Sequence, residues 1–93
     1  MPVYLTGTMT CPPERLDAVR AALPAHIALT RAEPGCTRFD VTEDVHTPGQ
    51  FHVSEEFTNR AAFDAHQIRG ASSAWADVTR GLPRDYAIRD TGE

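Results

Sequence analysis

Residues 33–66 read EPGCTRFDVTEDVHTPGQFHVSEEFTNRAAFDAH, and this stretch decides the fold. Phe39 and Val41 alternate with polar residues before a turn at Pro48 and Gly49, and a second alternating run follows the turn. Successive side chains of a strand point to opposite faces, so each run predicts a strand with one buried face. Proline and glycine favour a tight reversal between them. The stretch therefore predicts a β-hairpin.

The second strand of this hairpin carries one acidic residue on its apolar face. We predict strands at about residues 36–44 and 51–58, joined by residues 46–50. One face of the second strand holds four side chains, three of them apolar and one acidic: Phe51, Val53, Glu55 and Phe57. A carboxyl group on an otherwise apolar face is the feature of this sequence that says most about function.

A strand and a long helix are predicted before the hairpin. Residues 3–10 alternate as a strand does. A helix should begin at Pro12 and Pro13, because a proline N–H has no intrahelical partner in the first turn. Pro24 lies within the helical pattern and predicts a kink or the start of a second segment. The apolar stripe of this helix recurs at spacings of three and four, at Leu16, Val19, Leu23 and Ile27.

Two shorter helices and a last strand are predicted after the hairpin. The first helix should be capped by Thr58 or Asn59, place Phe63 and His66 on its inner side, and end at Gly70. The second should start at Ser72 or Ser73 and run to Leu82, before Pro83. Residues 84–90 alternate as a strand, and the chain from 90 to 93 should fray.

The order of these elements predicts the fold class. Strand, helix, strand, strand, helix, strand is the α+β ferredoxin-like βαββαβ arrangement, a four-stranded antiparallel sheet with its helices on one face. At 93 residues the chain is expected to form a single domain, residues 1–93. A chain this short buries only about 60–65 % of its unfolded surface, so a partner subunit would help to stabilise it.

Composition excludes several classes of function. The net charge is −4 and the sequence has no lysine, which argues against nucleic acid or a membrane surface as partner. No apolar run is long enough for a membrane span and the N-terminus is unlike a signal peptide, so we expect a cytoplasmic protein. Cys11 and Cys36 are interpreted as free thiols, with one disulfide as the alternative.

The sheet face away from the helices is polar. In an antiparallel sheet such a face is often simply solvated. The alternative is a self-complementary surface through which two copies form a homodimer. The residues on this face include several that can pair charges: Tyr4, Thr6, Thr8, Arg38, Asp40, His52, Ser54, Glu56 and Arg89.

The layer between sheet and helices is the candidate site. Metal-ligand spacing is absent, so no metal is expected. Glu55 and His66 point into this layer, and an apolar cavity with few polar groups is the usual form of a small-molecule site. Taken alone, each of these residues also has a purely structural interpretation. Glu55 is then a carboxylate that accepts hydrogen bonds from the backbone, and His66 is a core histidine whose nitrogens are hydrogen-bonded within the protein. Aromatic side chains supply the wall or, as the alternative, plain core packing: Phe39, Phe57, Phe63 and Trp75.

EPGC at 33–36, FHVSEEF at 51–57 and AAFDAH at 61–66 resemble the antibiotic biosynthesis monooxygenase family, which includes quinol monooxygenases. The resemblance implies a dimeric α+β barrel and a small aromatic substrate whose anion reacts with dioxygen without flavin or metal. It implies His66 and Glu55 as catalytic residues. Phe57 stands where many members have tryptophan.

Three functions follow from the resemblance. The first is a cofactor-independent monooxygenase acting on a quinol or other hydroxyaromatic. The second is a non-catalytic ligand-binding or stress-related module of the same fold. The third is haem degradation, which is disfavoured because related haem-degrading members use an asparagine and strand one of this chain has Tyr4 and no asparagine.

Overall fold

The computed structural model describes residues 1–90. Of the residues 90–93 that were predicted to fray, Asp90 is the last residue of a strand, and 91–93 lie outside the described range. The fold class is the predicted one, four strands and their helices in βαββαβ order. The strands are β1 (Val3–Thr10), β2 (Cys36–Glu43), β3 (Gln50–Phe57) and β4 (Arg84–Asp90). The helices are α1 (Pro13–Arg31), α2 (Arg60–Ala71) and α3 (Ala74–Val78).

The four strands form one antiparallel sheet in the order β2-β3-β1-β4. The predicted hairpin is β2 and β3, and its limits are within one residue of the prediction. Gly49 adopts a φ of +88° in the turn, and a Cβ there would lie 2.3 Å from the carbonyl oxygen of Cys11. Only glycine fits this backbone, which explains its place in the turn.

The helices differ from prediction in three details. α1 runs unbroken through Pro24, so a second segment does not begin there. α2 is capped by the Asn59 side chain, as one of the two predicted caps, but it continues past Gly70 to Ala71. α3 starts after Ser73 and ends at Val78, so it does not reach Leu82.

α3 is short because the backbone after it turns away from the helical conformation, with Gly81 at a φ of +77° and Pro83 two residues later. The Thr79 N–H and hydroxyl both donate to the Trp75 carbonyl, and Leu82 is buried in the turn that follows rather than on the helix. The apolar spacing from Trp75 to Leu82 therefore reflected burial but not helix. Both cysteines are free thiols, as expected.

The core lies between the helices and one face of the sheet. Glu55 belongs to this core, because β3 is a central strand and its neighbours in register are Phe39 on β2 and Leu5 on β1. Burial of the Glu55 side chain is thus imposed by the same alternation that buries its apolar neighbours. Among residues 1–90, no helix has the length and apolarity that a membrane span requires.

Candidate active site

Glu55 is a buried acid without a hydrogen bond at one oxygen. The residue is 7 % exposed, and its Oε1 has no hydrogen-bond partner among residues 1–90. Burial and the nearby charge of Glu33 raise the pKa of Glu55 to about 7. Because desolvation penalises the carboxylate, a substantial fraction of this group stays protonated at neutral pH.

His66 faces Glu55 from α2. Its Nε2 lies 3.8 Å from Oε1 of Glu55, too far for a direct hydrogen bond. Burial lowers the pKa of His66, although the Glu33 carboxylate opposes that shift. The imidazole is therefore neutral at pH 7. The rings of Phe57, stacked at 5.0 Å, and Phe39, edge-on at 5.7 Å, hold its plane.

Glu33 fixes the tautomer of His66. Oε1 of Glu33 lies 3.0 Å from Nδ1 of His66, and a carboxylate can only accept, so Nδ1 carries the hydrogen and donates it. Arg69 donates to the other oxygen of Glu33 and, at 3.0 Å, to the Thr30 hydroxyl. This arrangement leaves the Nε2 lone pair of His66 free on the side that faces Glu55.

A second buried histidine lies on α1. His26 is 6 % exposed, and its Nδ1 has no hydrogen-bond partner in the described part of the chain. Its ring stacks on Trp75 at 5.0 Å with the planes 9° apart, and its centroid is 6.2 Å from that of His66. Burial is the main cause that lowers the pKa of His26 to about 4, so this ring is also neutral at pH 7.

These groups surround one cavity. Its volume is about 290 Å³, and His26, Glu55, His66 and Trp75 all line it. Its remaining wall is contributed by β1, α2, α3 and β4: Leu5, Gln67, Gly70, Ala71, Ala76, Thr79, Arg84 and Tyr86. Within residues 1–90, the two buried side-chain atoms without a hydrogen-bond partner, on His26 and Glu55, thus belong to residues that line the same space.

A larger groove of about 460 Å³ lies between α1 and the β2–β3 edge. Its polar side chains are already paired: Arg20 donates twice to Glu43, at 2.8 and 2.7 Å, and Arg31 donates to Asp40 at 3.1 Å. Groups so engaged offer no base or acid to a ligand. The smaller cavity is therefore the candidate active site.

Comparison of the sequence with models of protein families identifies the family of this chain. The model of the antibiotic biosynthesis monooxygenase family matches residues 2–78. The chain belongs to the antibiotic biosynthesis monooxygenase family. Among residues 1–90, the structure holds no group of three or more side chains suited to bind a metal ion.

Curated relatives of this family member come from two bacteria. "Putative monooxygenase Rv0793" of Mycobacterium tuberculosis is 35 % identical over 66 residues, which are 71 % of this chain and 64 % of that protein. "Uncharacterized protein sll1783" of Synechocystis is 31 % identical over 65 residues, 70 % of this chain and 44 % of that protein. The aligned segment thus spans less than two thirds of the length of either relative.

Solved structures of other proteins resemble this one over most of its length. The structure of Rv0793 has a TM-score of 0.75 and 28 % identity, covering 97 % of this chain and 94 % of that one. PA3566 from Pseudomonas aeruginosa has a TM-score of 0.72 and 30 % identity, covering 95 % and 89 %. The fold of this family member is therefore shared almost from end to end.

The predicted site residues of this family member lie close together, but only some of them line the cavity. Glu55, His66 and Trp75 line the cavity. Phe39 and Phe57 pack against the His66 ring, and Phe63 packs edge-on against Phe57 at 5.8 Å. None of the three lines the cavity, so they fit the alternative interpretation of core packing and not that of a wall for the substrate.

Sequence reasoning missed three residues of the site: His26, Glu33 and Arg69. His26 continues the predicted stripe of α1, since it lies seven positions after Val19 and three after Leu23. That spacing signals an inward position. Glu33 lies within the EPGC segment, but nothing local indicates that it reaches His66 from a loop.

Proposed function

We propose that this protein is a cofactor-independent monooxygenase that oxidises a quinol or other hydroxyaromatic with dioxygen. The observation that supports this most is the neutral His66, whose Nδ1 is bonded to Glu33 and whose Nε2 faces the cavity. A histidine oriented by a carboxylate is a standard arrangement for a general base. No flavin or metal has a part in the proposed reaction.

His66 would remove the proton from a substrate hydroxyl. A hydroxyl oxygen placed beside the gap between Nε2 of His66 and Oε1 of Glu55 can approach both atoms to about 2.8 Å, because these atoms are 3.8 Å apart. Protonated Glu55 would then donate to the phenolate oxygen. Ionised Glu55 would repel it, so the neutral acid is the active form.

The proposed reaction balances without a further reductant. His66 takes the hydroxyl proton, and a ring carbon of the anion forms a bond to dioxygen. The O–O bond of the resulting peroxide breaks as that carbon loses its proton, and the distal oxygen leaves as water after receiving this proton and the proton returned by His66. One quinol and one dioxygen give one hydroxyquinone and one water. The four electrons that dioxygen accepts all come from the substrate.

The absence of a hydrogen-bond partner at Oε1 of Glu55 within residues 1–90 favours a ligand site over a purely structural role for this carboxyl group. A structural carboxylate at this position would be expected to accept backbone N–H groups. A buried oxygen left unbonded beside a cavity is instead suited to a ligand. This observation favours a site that binds the hydroxyl of a small molecule.

Oxygen uptake by the metal-free protein tests the proposal. We expect uptake with a hydroquinone, in a ratio of one dioxygen to one substrate, without release of hydrogen peroxide. Isotopically labelled dioxygen should place one labelled atom in the product and the other in water. Uptake that yields hydrogen peroxide and unlabelled quinone, or no uptake above the rate without protein across hydroquinones and naphthols, would contradict a monooxygenase.

We also propose a homodimer through the polar face of the sheet. Part of the charge on this face is paired within the chain, since Arg38 donates to Asp40 at 3.1 Å, and the Arg89 guanidinium lies 5.1 Å from the Tyr4 ring centroid. A charge that already has a partner can be buried at lower cost. Thr6 is exposed near its centre, on the inner strand β1.

Sedimentation should give about twice the chain mass of 10.2 kDa for the parent protein. Thr6→Glu should shift it toward the monomer, because two copies related by a twofold axis would bring like charges together. Asp64→Asn, on the exposed side of α2, is the control and should leave the mass unchanged. A parent protein that sediments as a monomer at micromolar concentration would rule out the proposed dimer.

A further inference from the structure

His26 is a buried imidazole that the proposed reaction does not use. It occupies a position of the apolar stripe of α1, where leucine would pack without leaving a polar atom unbonded. The large majority of buried side-chain polar atoms in proteins have a hydrogen-bond partner, and a buried atom left without one costs about 1–3 kcal/mol. An unpartnered Nδ1 here needs an explanation in terms of what occupies the cavity.

The orientation of the His26 ring is fixed. Trp75 covers one face in a near-parallel stack at 5.0 Å, and Phe39 meets it edge-on at 5.3 Å with the planes 77° apart. The direction of its two nitrogens is therefore set before a ligand arrives. Groups held in this way bind with little loss of side-chain entropy.

His26 and the proposed base His66 are close enough for one aromatic ligand to contact both. His26 comes from α1, Glu55 from β3 and His66 from α2, and all three line the cavity of about 290 Å³. That volume is at the small end of ligand sites, which favours one or two fused rings. The imidazole centroids of His26 and His66 are 6.2 Å apart, so oxygens at separate positions of one ring system can reach both.

We propose that His26 is a substrate-contacting residue that hydrogen-bonds a second oxygen of the substrate, and so selects aromatic molecules with two oxygen substituents over simple phenols. This inference rests on the proposed function for the role of the first oxygen. A neutral imidazole has one donor and one acceptor nitrogen, so it can bond either a second hydroxyl or a carbonyl. A site built for such a bond discriminates strongly against an analogue that lacks the group.

Binding without turnover tests this proposal. Under strict exclusion of oxygen, calorimetric titration compares naphthohydroquinone with α-naphthol, which has the same rings and one hydroxyl fewer. We expect the parent protein to bind naphthohydroquinone about tenfold more tightly. His26→Phe keeps an aromatic ring beside Trp75 and should remove this preference by weakening naphthohydroquinone binding about tenfold. The affinity for α-naphthol should not change.

Three further variants support the comparison. His26→Leu replaces His26→Phe should the larger ring prevent folding, and gives the same expectation. His26→Asn restores a polar group near the position of Nδ1 and should recover part of the preference. His46→Phe changes an exposed histidine in the β2–β3 turn and should bind both compounds as the parent does.

The outcomes separate this inference from the proposed function. Equal preference for naphthohydroquinone in the parent, His26→Phe and His26→Leu would overturn the inference alone. Loss of preference in both apolar variants, together with no oxygen uptake by the parent, would support the inference and contradict the monooxygenase. No binding of either compound to the parent would overturn both.

Discussion

His66→Ala should lower kcat/KM for oxygen uptake by about 100-fold to 10,000-fold, the range expected when a general base is removed. The cavity would keep its acid and its walls, but no neutral nitrogen would remain next to the substrate hydroxyl. In the parent, the rate should rise with pH through the range below 6.5, because burial lowers the pKa of His66 and the base acts only without its proton. That limb should be absent from the residual activity of His66→Ala.

Two controls separate loss of the base from loss of structure. His52→Ala removes an exposed histidine of β3 that pairs with Asp44 at 2.8 Å, and its activity should equal that of the parent. His66→Gln keeps a polar side chain of similar length but offers no basic nitrogen, so it should be as slow as His66→Ala. Oxygen uptake by His66→Ala at the parent rate with every active substrate would disprove the proposed role.

Most of the fold could be predicted because its signals are local. Alternation places Glu55 on the face of Phe51 and Phe57, and register with β1 and β2 only deepens a burial that the pattern already indicates. The Asn59 cap and the turn at Gly49 have equally local causes. Helix ends were predicted less well, since the spacing of Leu82 indicated helix where the backbone turns at Gly81 with a φ of +77°.

The site was predicted in part because its members come from distant parts of the chain. Glu55 and His66 are informative singly, as polar residues at inward positions. Glu33 and Arg69 acquire their role only through contacts across more than thirty residues, with each other and with His66. His26 had a local signal in the spacing of α1, but its position opposite Trp75 depends on the packing of α1 against α3.

The desolvation that raises the pKa of Glu55 should also lower the free energy of unfolding of the protein. Its pKa is raised from 4.5 to about 7 in the folded protein. Below pH 4.5 the group is protonated whether the chain is folded or not, and nothing is lost. As pH rises from 4.5 to 7, Glu55 loses its proton in the unfolded chain but keeps it in the folded protein, which favours unfolding. Above pH 7 the loss is complete and constant, at about 3 kcal/mol from about 1.4 kcal/mol per pKa unit.

Glu55→Gln should therefore be more stable than the parent by about 3 kcal/mol at pH 8, and by less than about 1 kcal/mol at pH 5. Denaturant unfolding of both proteins at equal concentration across this range measures the difference. Taking the difference between variants cancels the opposite trend from His26, whose lowered pKa costs stability as pH falls from 6.5 to 4. The activity of Glu55→Gln should not change along with its stability, since the amide that replaces the carboxyl group still donates a hydrogen bond.

Glu56→Gln is the matched control, because it removes the next carboxylate of β3 from the opposite face of the sheet. It should show no comparable rise in the stability difference between pH 5 and pH 8. A Glu55→Gln protein whose stability relative to the parent is the same at both pH values would mean that the pKa of Glu55 is not raised in the folded protein, so that the group is ionised at neutral pH. An ionised carboxylate could not donate to a phenolate, so the proposed role of the acid would be wrong even if His66 proved essential.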